Sequence, residues 1–224
     1  MKPLEPVKGD VILVGDPRRA FALAQELTVQ PRMSHQARGL WGYTGETESG
    51  RPLTVQSTGS GGPSAIPVIG DLAETGATRM VRLGTCISSG HAPGEILLVE
   101  AARVRDGASR SLLESGASSF RSGEETAALP DADLLRVLEG LGKRETVASH
   151  DLVGRFDPGT REQTAARDLQ TAATLTLARQ LGIPAAALLI VAGDGHGEQL
   201  EEAELEARFR PLSRAVLDRL ERLP

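Results

Sequence analysis

The chain is poor in cysteine, in aromatic side chains and in long apolar runs, and each shortage removes a class of function. Among 224 residues there is one cysteine, Cys86, so no intrachain disulfide framework can form. The four histidines show no cluster at zinc-ligand spacing, which predicts a protein without a metal site. Aromatics make up 3%, too few for a base-stacking surface that would hold single-stranded nucleic acid. Lys and Arg total 25 against 30 Asp and Glu, a net charge of -5, so no global positive field attracts nucleic acid or an anionic membrane. Any anion site has to be built locally. No uninterrupted apolar stretch reaches the roughly 18 residues of a membrane helix. The opening MKPLEPVKGD carries no apolar signal core, so a cytoplasmic location is expected.

Glycine, by contrast, is abundant, with 25 residues, and it recurs at the ends of short apolar runs. Val11–Val14 precedes Gly15, Leu53–Gln56 precedes Gly59, Met80–Leu83 precedes Gly84, and Ala187–Val191 precedes Gly193. Each run reads as a buried strand entering a loop that faces a ligand. Helical stretches are expected at Gly62–Gly76 and Gln163–Leu181, the second closed by Gly182 and Pro184. Gly107–Glu125 reads as a long exposed loop. Leu205, Phe209, Leu212, Val216, Leu220 and Leu223 keep helical spacing and predict an amphipathic terminal helix. The alternation indicates an α/β fold over residues 1–224, one domain with a central mixed β-sheet flanked by helices.

Three segments carry chemistry. Val14-Gly15-Asp16-Pro17-Arg18-Arg19 follows a strand; its glycine lets the backbone approach an anion and its arginine offers a planar fork. The same residues also suit an ordinary turn in which Asp16-Pro17 starts a helix. Thr58-Gly59-Ser60-Gly61-Gly62-Pro63-Ser64 is a second glycine-rich loop opening into a helix, whose free N–H groups favour anions. Val81-Arg82-Leu83-Gly84-Thr85 places a cation in an apolar strand, where an unpaired guanidinium would be costly. Arg82 therefore needs an anionic partner, either a phosphate or a structural carboxylate.

In order and spacing these elements resemble the nucleoside phosphorylase family of hexameric purine nucleoside phosphorylases and uridine phosphorylases. The matching stretches are VILVGDPRRA, QARGLWGYTG, STGSGGPSAIPVIGDLAETGATRMVRLGTC, PGEILLVEAA and RDLQTAATLTLARQLGIPAAALLIVAGD. The resemblance implies a phosphorylase/hydrolase-like fold in which Gly15, Arg19, Arg38, Arg82 and Thr85 enclose inorganic phosphate, the co-substrate, with no cofactor. It also implies that Arg38 comes from a neighbouring subunit, hence a homodimer with shared sites, often assembled as a trimer of dimers. Phosphate would attack the anomeric carbon as the base departs, and the anion would stabilise the cationic sugar. Asp194 occupies the place of the acid that protonates a leaving purine, with Arg208 or Arg210 as its partner; alternatively it caps Gly195-His196-Gly197. The nucleoside is expected to meet Ser60, Phe156, Leu169, Gln170 and Asp194.

On the nucleoside side the chain departs from that pattern. Leu169-Gln170 stands where the family has Met-Glu, so one carboxylate acceptor for the sugar hydroxyls becomes a donor. Asp168, expected on a different side of the helix, is not a direct substitute. Ile87 replaces a glycine beside the base, Val153-Gly154 stands where an aromatic is usual, and no histidine precedes His35. Cys86 reads as a packing residue. Phosphorolysis with purine favoured over uridine is the reading preferred here. A uridine-reading pair from Gln163 with Arg155 or Arg161, an anion- or nucleotide-binding homologue without turnover, and a hydrolytic nucleosidase are the alternatives; three arginines for phosphate argue against the last.

Overall fold

The computed structural model describes residues 7, 9–115, 126–152, 166–195 and 197–223. In chain order its first half runs β1 (Gly9–Val14), α1 (Pro17–Leu27), β2 (Val29–His35), a 3-10 turn at Ala37–Gly39, β3 (Gly42–Glu46), β4 (Pro52–Ser57), α2 (Gly62–Glu74), β5 (Ala77–Ser88) and β6 (Ile96–Val104). The second half adds α3 (Gly107–Ser115), β7 (Ala127–Ala128), α4 (Ala132–Val137), β8 (Lys143–Ser149), β9 (Ala166–Asp168), α5 (Thr171–Gln180), β10 (Ala185–Gly193) and α6 (Glu202–Leu220).

The four apolar runs that end in glycine are all strands, and β1, β4, β5 and β10 run parallel. The sheet is mixed, in the order β10-β6-β8-β9-β5-β1-β4-β3-β2. Because β10 pairs with β5 as well as with β6, the strands β5, β9, β8, β6 and β10 close into a ring. The alternation of side chains along a strand divides the core between two faces. Val11, Leu13, Met80, Ala187 and Leu189 pack with Ile69 and Leu72 of α2 and Leu175 of α5. Ile12, Val14, Val81, Leu83, Leu188 and Ile190 pack with Leu23 and Leu27 of α1 and Phe209, Leu212 and Val216 of α6. The terminal stripe is thus confirmed, with Leu205 and Leu220 also buried and Leu223 packed against that cluster. A capping box of Glu201 and Glu204 starts α6.

Two expectations need correction. Gly107–Ser115 is helical rather than looped, because the Asp106 carboxylate accepts from the Ser109 N–H at 2.7 Å and so starts a turn; residues 116–125 lie outside the described part. The helix expected from Gln163 begins only at Thr171. Ala166–Asp168 is instead a short strand, drawn into the sheet by non-local pairing with β8 and with Ile87 and Ser88 of β5. Residues 163–165 are not among those described.

Candidate active site

The carboxyl ends of β1, β4, β5 and β10 surround a cleft of about 490 Å³. Gly15, Arg19, Ser60, Arg82, Thr85, Leu169 and Gln170, all expected from the sequence, line it. The turn after β1 serves both purposes considered for it. Asp16 caps α1 by accepting from the N–H groups of Arg18 (2.6 Å) and Arg19 (3.3 Å), with Pro17 in the first turn, while Gly15 faces the cleft. The glycine-rich loop is zipped to it: Thr58 donates its N–H to the Val14 carbonyl at 2.8 Å and Gly59 donates to Gly15 at 3.0 Å. Gly59 and Gly61 hold φ of 70° and 80°, which a side chain would disfavour.

Arg82 has the anionic partner that its burial demanded, and it is a carboxylate. Its Nη2 donates to Asp168 Oδ2 at 3.2 Å, its Nη1 to Gln170 Oε1 at 2.7 Å and its Nε to Thr171 Oγ1 at 3.2 Å. Gly84 provides room for this fold-back, since a Cβ there would stand 2.7 Å from Arg82 Nη2. A guanidinium has five N–H groups, so one on each Nη remains beyond these three bonds. Asp168 is not on the helix, as the sequence suggested, but ends β9 with its side chain 0% exposed. Its carboxylate also accepts from Ser149 Oγ and Thr171 Oγ1, each at 2.6 Å, and from the N–H groups of Gln170 and Thr171.

Arg19 reaches across the cleft mouth to Glu202 at the start of α6, with Nη2 to Oε1 at 2.7 Å. Its Cζ lies 4.0 Å from the centroid of the Phe209 ring, a cation–π contact. Arg38 does not line this cleft; it is exposed, at φ 56° in the 3-10 turn. Nor is Asp194 among the lining residues. Its Oδ1 accepts from the N–H groups of Gly197 and Glu198, so the capping alternative is what the structure displays. Arg208 donates to the Glu204 carbonyl of its own helix and covers Gly94, while Arg210 lies 3.9 Å from Glu26. Phe156, Val153, Gly154, Arg155, Arg161, Gln163 and His196 are outside the described residues.

Three lining residues carry charge that the sequence reading did not place here: Arg167, Asp168 and Glu202. Arg167 stands opposite Ile87 in the strand register, and its Nη2 is 3.9 Å from where a Cβ on Gly195 would be. Its strand is too short for a periodic signal. Cys86 lines the cleft floor, and burial, followed by the charge of Asp168, pushes its thiol well above the ordinary range. It stays protonated at neutral pH. A thiol reagent at pH 8 is therefore expected to leave the native protein unlabelled and to label Cys86 once denaturant unfolds it; rapid native labelling would contradict this. Among the described residues no His, Cys, Asp and Glu group could hold a metal ion, and no helix is long and apolar enough to cross a membrane.

Fold and cleft together define the class: an α/β protein with an arginine-lined cleft at the carboxyl ends of its parallel strands, where such sheets bind ligands. A model of the phosphorylase superfamily matches residues 10–222, and the chain belongs to that superfamily. It is 27% identical over 227 residues to a DeoD-type purine nucleoside phosphorylase from Oceanobacillus iheyensis, covering 93% of this chain and 92% of that protein. A DeoD-type purine nucleoside phosphorylase from Hahella chejuensis is 28% identical over 227 residues, covering 93% and 91%. Purine nucleoside phosphorylase from Toxoplasma gondii, solved with immucillin-H, superposes with a TM-score of 0.77 at 20% identity over 96% of this chain and 93% of that one. Uridine phosphorylase from Vibrio fischeri, solved with 6-hydroxy-1-naphthoic acid, gives 0.74 at 22% identity over 94% and 89%. At such identities these two likenesses establish the fold.

Proposed function

We propose that this chain cleaves the N-glycosidic bond of a nucleoside with phosphate, releasing the free base and a pentose 1-phosphate, with purines favoured over uridine. The observation that carries this reading is Arg82, held from behind by Asp168, Gln170 and Thr171 while lining the same cleft as Gly15, Arg19 and Thr85. A guanidinium fixed in this way is preorganised for an anion, at no reorganisation cost during reaction. Phosphate bound there would direct one oxygen at the anomeric carbon. The new C–O bond forms as the C–N bond breaks, and a proton passes to the departing base. Arg38, away from its own cleft, would complete the cleft of a second copy, which makes a homodimer with shared sites, or a trimer of dimers, the working unit.

Asp194 is the proposed proton donor; its Oδ1 accepts from the N–H groups of Gly197 and Glu198, and Oδ2 would carry the proton. Asp194→Asn is the informative variant, because an amide oxygen can keep both loop bonds while the acid is lost. Base release from inosine, adenosine, guanosine, uridine, thymidine and methylthioadenosine is measured with and without phosphate. Phosphate-dependent release that falls for purines in Asp194→Asn supports the assignment; equal release without phosphate would make the protein a nucleosidase. The engagement of Asp194 in its own loop also favours a second reading, an anion-binding homologue without turnover. In that case phosphate binds and no base appears.

Glu202 is a resident competitor for Arg19. Its carboxylate is 63% exposed, so the pair is worth only roughly 0.2–1 kcal/mol. Glu202→Gln is accordingly expected to tighten phosphate binding by up to about fivefold, as read by titration calorimetry. Weaker binding would show that Glu202 orients Arg19 rather than competing for it.

A further inference from the structure

Of the three arginines expected to enclose phosphate, Arg19 and Arg82 are buried, whereas Arg38 stands on an exposed turn. Its φ of 56° lies in the left-handed region, which a residue with a side chain keeps only where its surroundings fix it. Gly39 follows at φ 72°, and the Leu40 N–H closes the turn on the Ala37 carbonyl at 3.0 Å. What fixes the turn lies beneath it. His35, 3% exposed at the end of β2, donates from Nδ1 to the Leu40 carbonyl at 2.9 Å; a carbonyl can only accept, so Nδ1 carries a proton. Gln56, fully buried near the end of β4, donates from Nε2 to the same carbonyl at 3.3 Å and to the Ser57 carbonyl at 2.8 Å. The next carbonyl, that of Trp41, accepts from the N–H and the Oγ of Ser57, each at 2.9 Å. Gly42 leaves room for this layer, since a Cβ there would collide with the Gln56 carboxamide. On its other side the His35 ring faces α2, with Nε2 3.9 Å from Asp71 Oδ2. The imidazole thus sits between the Arg38 turn and the helix that opens from the glycine-rich loop.

Resting on the phosphorolysis reading, in which Arg38 serves the cleft of a second copy, we propose that His35 is a positioning residue that sets Arg38 for phosphate through the Leu40 carbonyl. A guanidinium on a loose turn loses backbone freedom when it meets an anion, and that loss weakens binding. A turn already held in the left-handed conformation has given up this freedom beforehand. Without the Nδ1 donor the Leu40 carbonyl keeps only Gln56, the longer of its two side-chain bonds, and the turn is released toward the conformation that a non-glycine residue prefers. If His35 did no more than fill a buried place at the sheet edge, its loss would affect phosphate equally whether or not Arg38 is present.

A double-mutant cycle on the assembled protein separates the two cases, with inorganic phosphate binding read by titration calorimetry. Arg38→Ala is expected to weaken binding by about tenfold or more, the effect of losing a charged donor. His35→Leu, which fills the space without a donor, should weaken it by about threefold to tenfold, the worth of one hydrogen bond. In the Arg38→Ala background the same change should matter by less than about twofold. His35→Asn places an amide N–H where Nδ1 stands and should recover most of the loss. Amide hydrogen exchange at residues 39 and 40 is expected to speed up by about fivefold or more in His35→Leu and to return toward the native rate in His35→Asn. Should the leucine variant not fold, the smaller His35→Ala carries the same expectations. An equal loss with and without Arg38 would overturn the proposal, as would native phosphate affinity in His35→Leu or unchanged exchange at the turn. Native phosphate affinity in Arg38→Ala, with base release still dependent on phosphate, would overturn it too while leaving the phosphorolysis reading in place. Base release indifferent to phosphate would sink the phosphorolysis reading instead, and the binding cycle would still decide whether His35 sets Arg38.

Discussion

Arg82→Ala is expected to slow phosphate-dependent base release by about two to three orders of magnitude, the usual effect of removing one preorganised donor from a site where charge develops. The same substitution should destabilise the fold by about 3–5 kcal/mol, because it leaves the buried Asp168 carboxylate without its cation. Denaturant unfolding and steady-state kinetics separate the two effects when the assay is run well below the unfolding transition. Arg82→Lys sharpens the test. An ammonium restores the charge next to Asp168 but cannot span Asp168, Gln170 and Thr171 as the planar fork does. Stability is expected to recover more than activity. If Arg82→Ala released base as fast as the native protein, the cleft would not be where phosphate acts.

Asp168→Ala should give the largest loss of stability among single changes at the site. Ser149, Thr171, Gln170 and Arg82 all lose a common acceptor, and a buried guanidinium loses its counter-charge. Removing one partner of a buried pair costs about 3–5 kcal/mol, which for a chain of this size lowers the melting temperature by roughly 6–20 °C. Asp168→Asn keeps the shape and one acceptor oxygen, so its loss should be smaller. A calorimetric melt that shifts by less than a degree or two in Asp168→Ala would mean that Arg82 finds its compensation elsewhere, for instance from solvent or a bound anion.

Much of the scaffold was legible because it is local. An apolar run that stops at glycine marks a buried strand entering a turn, a rule that β1, β4 and β10 follow, whereas β5 runs on through Gly84 to Ser88. The stripe from Leu205 to Leu220 reports its helix directly, since one face alone carries the apolar side chains. What stayed hidden depends on partners distant in sequence. Ala166–Asp168 is a strand only because β8 and β5 pair with it, so Asp168 could not be recognised as the counter-charge of Arg82 from its spacing. The substitution at Gln170 was visible as a departure, but its use was not. The carbonyls of Gly59 and Gly61 that bind its amide lie in a loop more than a hundred residues earlier. Glu202 carries no local mark in the sequence, and only the packing of α6 beside α1 brings it to Arg19. The loop hydrogen bonds of Asp194, by contrast, were one of the two readings available from the sequence, because their partners lie within four residues.

In phosphorolysis an anion in the Arg82 cleft is itself the nucleophile. Phosphorus NMR of the protein with inosine and inorganic phosphate tests it most directly. A pentose 1-phosphate signal is expected to grow in step with free hypoxanthine, and neither should appear when phosphate is withheld. Hypoxanthine released together with unphosphorylated ribose, at a rate indifferent to phosphate, would contradict it.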